Sequence, residues 1–196
     1  MASETWLVVG LGNPGPRYSH TRHNAGFEAV ERLVLKRSVA LKDAPRDEAI
    51  WGAYDLEGRE VVLFFPQTFM NESGRAVAPF ARYRQIPLER ILALSDDMDL
   101  PVGRLRCRPS GSSGGQHGMD SLIAHLGSPG FPRIRLGIGK PAPGTEGAGH
   151  VLSPFAPEEK PLIAKALERA AAGAETYILK GAEAAMREIN GDRPEN

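Results

Sequence analysis

The chain has 196 residues, of which 41% are hydrophobic and 24% are charged, and this is the composition of an ordinary globular domain. Its 24 basic and 24 acidic residues cancel, which argues against a general nucleic-acid-binding protein. No apolar run approaches the roughly 20 residues that span a bilayer, and residues 1–6 lack the features of a signal peptide. We therefore expect a cytoplasmic protein without a membrane partner, whose single cysteine, Cys107, stays reduced.

The first half of the chain alternates strand-like and helix-like patterns. A short apolar run precedes a loop rich in proline and glycine, and Phe27, Val30 and Leu33 then recur at helical spacing. These patterns predict a buried strand at 6–11, a loop at 12–16, a helix at 24–37, a hairpin of strands at 51–56 and 60–65, and a helix at 71–84 that Pro79 should kink or shift.

The second half continues this alternation. The patterns predict strands at 91–95, 103–108 and 133–138, helices at 119–126, 157–179 and 181–190, a flexible loop at 110–115 and a mobile surface loop at 140–149. Strands that alternate with helices predict an α/β fold, a single-domain α/β/α sandwich around a mixed, mostly parallel twisted sheet. We assign this domain to residues 1–190 and expect a disordered tail at 191–196.

Polar residues follow three of the predicted strands. In open α/β sheets the chemistry takes place outside the carboxyl ends of the strands. This rule selects the loops after Leu11, Phe65 and Ser95, which carry Asn13, Asn71 and Asp96.

A glycine-rich motif, Gly10-Leu-Gly-Asn-Pro-Gly15, matches the dinucleotide-binding pattern by its letters. That pattern requires a helix to begin within the motif, so that the helix N-terminus faces the pyrophosphate. Pro14 and Pro16 flank the last glycine, and helical spacing begins only near Asn24. A dinucleotide-dependent oxidoreductase is therefore the weaker interpretation, and we expect no cofactor.

His23 is the strongest candidate for a general base. It is one of five histidines, but it lies just before the first predicted helix and close to the first strand end. A histidine base needs a carboxylate that accepts its Nδ1–H and so selects one tautomer. Asp96 is the best candidate for this role, and Asp97 and Asp99 compete with it. An aspartate metal site is the second interpretation of that acidic cluster, although no histidine or glutamate lies near it at ligand spacing.

The sequence offers no obvious covalent nucleophile. No serine stands in a Gly-x-Ser-x-Gly turn, and Cys107 alternates with arginines as a core-facing strand residue would. His23 would then activate a water molecule, with Asn13 and Asn71 as neutral donors that polarise a carbonyl. Alternatively, Asn13 serves only the turn before Pro14, and Asn71 only caps the helix that follows it.

Five segments together resemble the bacterial-type peptidyl-tRNA hydrolases. The resemblance implies a monomeric α/β hydrolase that cleaves the ester between a peptide, or an N-blocked amino acid, and the 3′ end of tRNA. The segments occur in the order of the family and cover most of the chain: Val8-Val-Gly-Leu-Gly-Asn-Pro-Gly15, Thr21-Arg-His-Asn-Ala-Gly26, Pro66-Gln-Thr-Phe-Met-Asn-Glu-Ser-Gly74, Asp96-Asp-Met-Asp-Leu-Pro101 and Arg135-Leu-Gly-Ile-Gly139.

The resemblance also implies roles for individual residues. By position, His23 is the catalytic histidine and Asp96 orients it, while Asn13 and Asn71 hold the substrate and the water. Tyr18 packs at the tRNA terminus, and Met70 lines the peptide groove. Many members have His-Asn after the Gly-Gly of the flexible loop, where this chain has Gln116 and His117. We expect His117 to contact the substrate and Gln116 the tRNA.

Basic residues are concentrated between positions 102 and 145, where Asp120 is the only acid. Two pairs of arginines alternate along predicted strands, so each pair shares one side of the sheet. A solvated surface is the simpler interpretation, and a clamp for tRNA phosphates is the functional one, which the resemblance favours. The predicted tRNA-binding arginines are Arg106, Arg108, Arg133 and Arg135.

A non-enzymatic RNA-binding protein of the same fold is a further alternative. Such a protein would keep the basic strands but would not need the set of His23, Asp96, Asn13 and Asn71. All four residues are present, which favours the enzyme.

Overall fold

The computed structural model describes residues 4–144 and 146–191. Its centre is a seven-stranded sheet in the order β2-β3-β4-β1-β5-β7-β6. The strands are β1 (Glu4–Gly10), β2 (Lys42–Ala44), β3 (Ala49–Leu56), β4 (Arg59–Pro66), β5 (Ile91–Asp97), β6 (Leu105–Arg108) and β7 (Arg133–Gly137). The helices are α1 (Ala25–Arg37), α2 (Ser73–Tyr83), α3 (His117–Leu126), α4 (Gly147–Val151) and α5 (Lys160–Gly191).

The sheet is mixed, with a parallel centre. Strands β4, β1, β5 and β7 run in the same direction. Strands β3 and β6 run against them, and β2 pairs antiparallel with β3. The predicted α/β class and mixed sheet are confirmed, including the hairpin of β3 and β4.

The sheet is covered on both faces, because its central strands are apolar on both sides. Along β1, Trp6 and Val8 pack into one hydrophobic cluster, and Leu7 and Val9 pack into the other. The first cluster includes α1 and α5, and the second includes α2 and α3. This arrangement is the predicted α/β/α sandwich. Within the described residues, no helix combines the length and apolarity needed to cross a membrane.

Several elements differ from the prediction. The polar strand β2 was not predicted, because three residues carry too little periodicity. Helix α2 begins at Ser73 and contains the exposed Pro79. Proline has no N–H to donate, so the carbonyl of Arg75 loses its helical hydrogen bond. Arg75 is exposed as well, so water can solvate that carbonyl. A short helix, α4, occupies part of the predicted loop at 140–149.

The C-terminal helices form one element with a kink. Gly181, with φ 81 and ψ 177, breaks α5 at the point where the sequence predicts the boundary between two helices. Helix α5 extends to Gly191, and the rest of the predicted disordered tail, residues 192–196, lies outside the described residues.

Candidate active site

A cavity of about 520 Å³ opens at the carboxyl ends of the parallel strands. It lies between the loop after β1, the end of β5, the turn before α2, the start of α3 and helix α4. The predicted site residues that line it are Asn13, His23, Met70, Asn71, Asp96, Gln116, His117 and Arg135. The three residues selected by the strand-end rule, Asn13, Asn71 and Asp96, therefore line one cavity.

His23 and Asp96 form a hydrogen-bonded pair in this cavity. The distance from His23 Nδ1 to Asp96 Oδ2 is 2.9 Å. The Asp96 side chain is 3% exposed and that of His23 is 13% exposed, so the ring keeps one edge open to the cavity. Because Asp96 occupies Nδ1 as an acceptor, the neutral ring carries its proton there and has a free lone pair on Nε2.

The backbone places this pair with little freedom. His23 lies in a 3-10 turn, Arg22–Asn24, that leads directly into α1. At Gly26, a Cβ atom would lie 2.3 Å from the carbonyl oxygen of Leu94 and 2.6 Å from that of Leu11. Only glycine allows the start of α1 to approach the sheet this closely. Asp96 follows Leu94 by two residues on β5 and so points to the same face as α1.

Arg22 anchors the same turn from the other side. Its guanidinium contacts both carboxylate oxygens of Glu159 and donates to the carbonyl of Ile138 at 2.9 Å. Its backbone N–H donates to the carbonyl of Ser153. These contacts tie the residue before His23 to the segment between α4 and α5, so Arg22 is structural here.

Asn13 is held by two partners and presents its amide to the cavity. Its Oδ1 accepts from the backbone N–H of Met70 at 2.8 Å, which directs Nδ2 away from that contact. The side chain of Asn24 accepts from Asn13 N at 2.8 Å and donates to Asn13 O at 3.0 Å. Asn13 is therefore more than a turn residue, because its side chain links the loop after β1 to the turn before α2.

Asn71 is exposed at the cavity wall, in the 3-10 turn Met70–Glu72. The residue that precedes α2 is Glu72, whose own side chain makes no cap hydrogen bond, and the N–H of Gly74 in the first turn donates to Ser121 Oγ at 2.9 Å. The alternative role of Asn71 as a helix cap is therefore not found. Tyr18 lies at the rim rather than in the wall, where its ring meets the ring of Phe69 edge to face at 6.5 Å.

The other two aspartates of the acidic cluster have different partners. Asp97 Oδ2 lies 2.9 Å from Arg135 Nε, and the exposed Asp99 pairs loosely with Lys140 at 3.6 Å. Of the three, Asp96 alone contacts His23. In the described part of the chain, no group of three or more His, Cys, Asp or Glu side chains is arranged to hold a metal ion.

Gln116 and His117 point in different directions. Gln116 lies at the N-cap of α3, and its amide donates to Asp96 Oδ1 at 3.0 Å. His117, the first residue of α3, is exposed and lines the cavity. The expected tRNA contact of Gln116 is not retained, because its side chain is turned inward onto Asp96, Met70 and the backbone of Met119.

The predicted arginine clamp divides into two kinds of residue. Arg106 and Arg108 are exposed on β6, opposite Arg135 and Arg133 in the register. Arg133 is 1% exposed, and its guanidinium donates to the backbone carbonyls of nearby loops. Burial lowers the pKa of Arg133 to about 10. The prediction that Arg133 contacts tRNA is therefore not retained, because its donors are used inside the protein.

Two alternative chemistries lack support in the geometry. The motif is followed only by the short 3-10 turn Pro16–Tyr18, and the first α-helix begins at Ala25, ten residues beyond Gly15, so no α-helix N-terminus faces a pyrophosphate there. Burial raises the pKa of the Cys107 thiol to about 11, and Cys107 packs in the cluster under α5. A thiol in this state is a poor nucleophile.

Asn24 and the inward role of Gln116 were not anticipated from the sequence. Both lie next to residues that were singled out, and both are amides just before a helix. Such a position is typical of helix caps, so the sequence alone gives no sign of their contacts to Asn13 and Asp96.

Known proteins are similar to this chain over nearly its whole length. The family model for peptidyl-tRNA hydrolase matches residues 7–196. The peptidyl-tRNA hydrolase of Symbiobacterium thermophilum is 47% identical over 188 residues, which cover 94% of this chain and 98% of that protein. The one of Halalkalibacterium halodurans is 45% identical over 174 residues, which cover 89% and 94%. A crystal structure of peptidyl-tRNA hydrolase from Acinetobacter baumannii is 38% identical and matches with a TM-score of 0.90, covering 100% of this chain and 99% of that one.

Proposed function

This chain belongs to the peptidyl-tRNA hydrolase family, and from that membership we propose how its cavity performs the reaction. The protein is an enzyme that hydrolyses the ester bond of peptidyl-tRNA and releases tRNA for reuse in translation. Hydrolysis needs a nucleophile, stabilisation of the oxyanion that forms and a proton for the leaving ribose oxygen.

His23 is the general base. Its Nε2 accepts a proton from a water molecule as the water oxygen bonds to the ester carbonyl carbon. Asp96 accepts the Nδ1–H throughout and stabilises the imidazolium that results. The observation that supports this assignment best is the 2.9 Å contact between His23 Nδ1 and the buried Asp96 carboxylate, with the opposite edge of the ring open to the cavity.

The asparagines stabilise the tetrahedral intermediate. The Nδ2 of Asn13 has its direction set by the Met70 N–H, and Asn71 adds a second neutral donor from the same wall. Preoriented donors of this kind are worth most where water is excluded and charge develops. When the intermediate collapses, the carbon–oxygen bond to the ribose breaks, and the His23 imidazolium returns its proton to the leaving oxygen.

The substrate lies across the cavity mouth in this proposal. Met70 supports the peptide, His117 contacts the substrate near the ester, and Tyr18 packs against the terminal nucleotide of the tRNA. Arg106, Arg108 and Arg135 contact phosphates.

We also propose a location, an oligomeric state and a domain extent for the enzyme. We place it in the cytoplasm as a monomer, with residues 1–190 acting as one domain and without a resident metal or cofactor.

The test of the catalytic pair is the Asp96→Asn variant. Asparagine has the same shape but would present an amide to Nδ1 or select the wrong tautomer, so we expect kcat to fall by about 10³- to 10⁴-fold with little change in KM. Asp99→Asn is the matched control, because Asp99 lies three residues away and does not touch His23. The loss of a general base lowers kcat by at least about 100-fold. A kcat within about threefold of wild type in Asp96→Asn would therefore refute the assignment of His23 and Asp96 as the catalytic pair.

A further inference from the structure

Gln116 connects the carboxylate of Asp96 to the first turn of α3. Its Oε1 accepts from the backbone N–H of Met119 at 2.7 Å, and its Nε2 donates to Asp96 Oδ1 at 3.0 Å and lies 3.1 Å from Met70 Sδ. A backbone N–H can only donate, so Oε1 must face Met119. The amide group Nε2 must then face Asp96, and the orientation of the side chain is determined.

This contact completes the hydrogen bonding of Asp96. One carboxylate oxygen accepts from His23 and the other accepts from Gln116. The Asp96 side chain is 3% exposed, so an oxygen without a donor would carry an uncompensated desolvation cost. Two donors on opposite oxygens also oppose rotation of the carboxylate, which keeps Oδ2 directed at His23.

We propose that Gln116 is a positioning residue of the reaction, which acts through Asp96 by keeping its carboxylate aimed at His23. This inference rests on the proposed function of the pair. Gln116 is a neutral donor, so it holds Asp96 without adding a charge to the site. Both hydrogens of its amide are directed at protein atoms, which leaves no donor for the substrate.

The Gln116→Ser variant separates this role from helix capping. Serine is a favoured N-cap residue and can still accept from the Met119 N–H, but its side chain is too short to reach Asp96. We expect kcat to fall by at least about tenfold and KM to stay within about twofold, because the base is misaligned while the substrate contacts remain. Thermal unfolding shows whether the cap is kept, and we expect a midpoint within about 4 °C of wild type.

The split between kcat, KM and the unfolding midpoint is a readout that a capping role alone would not produce. A lost cap would lower the unfolding midpoint, whereas a misaligned Asp96 lowers kcat and leaves KM and the midpoint in place. The other charged side chains that line the cavity are unchanged in this variant: Asp97 with its partner Arg135, and the exposed Asp99.

Asp120→Ala is the matched control, since Asp120 lies exposed in the same first turn of α3. It should leave kcat and KM unchanged. A wild-type kcat in Gln116→Ser, or a kcat that falls only together with a raised KM or a lowered unfolding midpoint, would overturn the proposal. If Asp96→Asn is inactive in the same assay, such a result refutes the role of Gln116 alone. If Asp96→Asn is fully active, the proposed function itself fails.

Discussion

Asn24 holds the backbone of Asn13 as a neighbouring strand would. Its Oδ1 accepts from Asn13 N at 2.8 Å, and its Nδ2 donates to Asn13 O at 3.0 Å. Asn24 is the residue between His23 and α1, so the turn that carries His23 also supports the loop that carries Asn13. The two halves of the site are therefore mechanically linked through one buried carboxamide.

This link predicts the behaviour of Asn24→Asp. The carboxylate still accepts from Asn13 N, but it loses the donor and faces the Asn13 carbonyl, so we expect a loss of about 1–3 kcal/mol in the free energy of unfolding. Because the loop of Asn13 shifts, kcat should also fall by about tenfold or more. Denaturant unfolding and steady-state hydrolysis measure the two effects.

Asn190 provides the control for this prediction. Its carboxamide holds the backbone of Cys107 in the same way, at 2.7 and 3.2 Å, on β6 rather than at the cavity. Asn190→Asp should therefore lose stability with kcat unchanged. Equal effects of the two variants on kcat would contradict the link between Asn24 and the site.

Gly26→Ala tests the close approach of α1 to the sheet. The added methyl group would meet the carbonyl oxygens of Leu94 in β5 and of Leu11 just after β1, which are backbone atoms and cannot move aside. We expect a destabilisation of about 1–3 kcal/mol and a reduced kcat, since His23 lies three residues before the displaced position. Gly149→Ala is the control, because nothing lies within 4 Å of a Cβ at that helical glycine. A Gly26→Ala protein with wild-type unfolding and turnover would show that this packing does not position the base.

Much of this architecture could be predicted, because its signals are local. Buried strands are continuous apolar runs, and polar residues stand at the carboxyl end of β5 and in the loop that follows β1. The carboxyl ends of parallel strands meet at one edge of the sheet, which brought Asn13 and Asp96 to the same cavity. His23 could be added because it lies in the turn that leads into a helix of clear periodicity.

The burial and the contacts of individual side chains could not be predicted in the same way. Strand period 2 correctly placed Arg133 and Arg135 on one face, but it does not show what covers that face. The carbonyls of Gly111, Ser112 and Pro129 surround Arg133, and this cover comes from loops distant in the sequence. The direction of Gln116 likewise depends on where β5 places Asp96.

Arg106 and Arg108 are expected to act in binding rather than in chemistry. Both are exposed on β6, and neither forms an ion pair within the described residues. Replacing both by alanine should reduce the slope of log Kd against log salt by about one per arginine, with kcat at saturation unchanged. Binding of uncleaved peptidyl-tRNA to an inactive background at several salt concentrations measures this slope.

The control for the arginine variant is Arg32→Ala, which removes an arginine on α1 that pairs with Glu168 on the opposite face of the sheet. Its salt slope should match that of the unchanged protein. An unchanged slope in the double variant would remove Arg106 and Arg108 from the tRNA-binding surface.

Hydrolysis should not depend on a bound divalent metal. The carboxylates of Asp96 and Asp97 are already engaged by His23, Gln116 and Arg135, which leaves Asp99 as the cluster's exposed member. We expect the initial rate with excess EDTA to equal the untreated rate, at a fixed ionic strength that keeps the tRNA contacts constant. Strong inhibition that added metal reverses would restore the interpretation of the acidic cluster as a metal site.

The role of His23 can be measured most directly by single-turnover hydrolysis of an N-blocked aminoacyl-tRNA, with the enzyme in excess and binding followed separately. His23→Ala should lose at least about 100-fold in the hydrolysis rate and still bind the substrate, because the base is removed and the tRNA contacts remain. His20→Ala, which alters an exposed histidine three residues away, should hydrolyse at the wild-type rate. A His23→Ala protein that binds and hydrolyses as fast as wild type would contradict the assignment of His23 as the base.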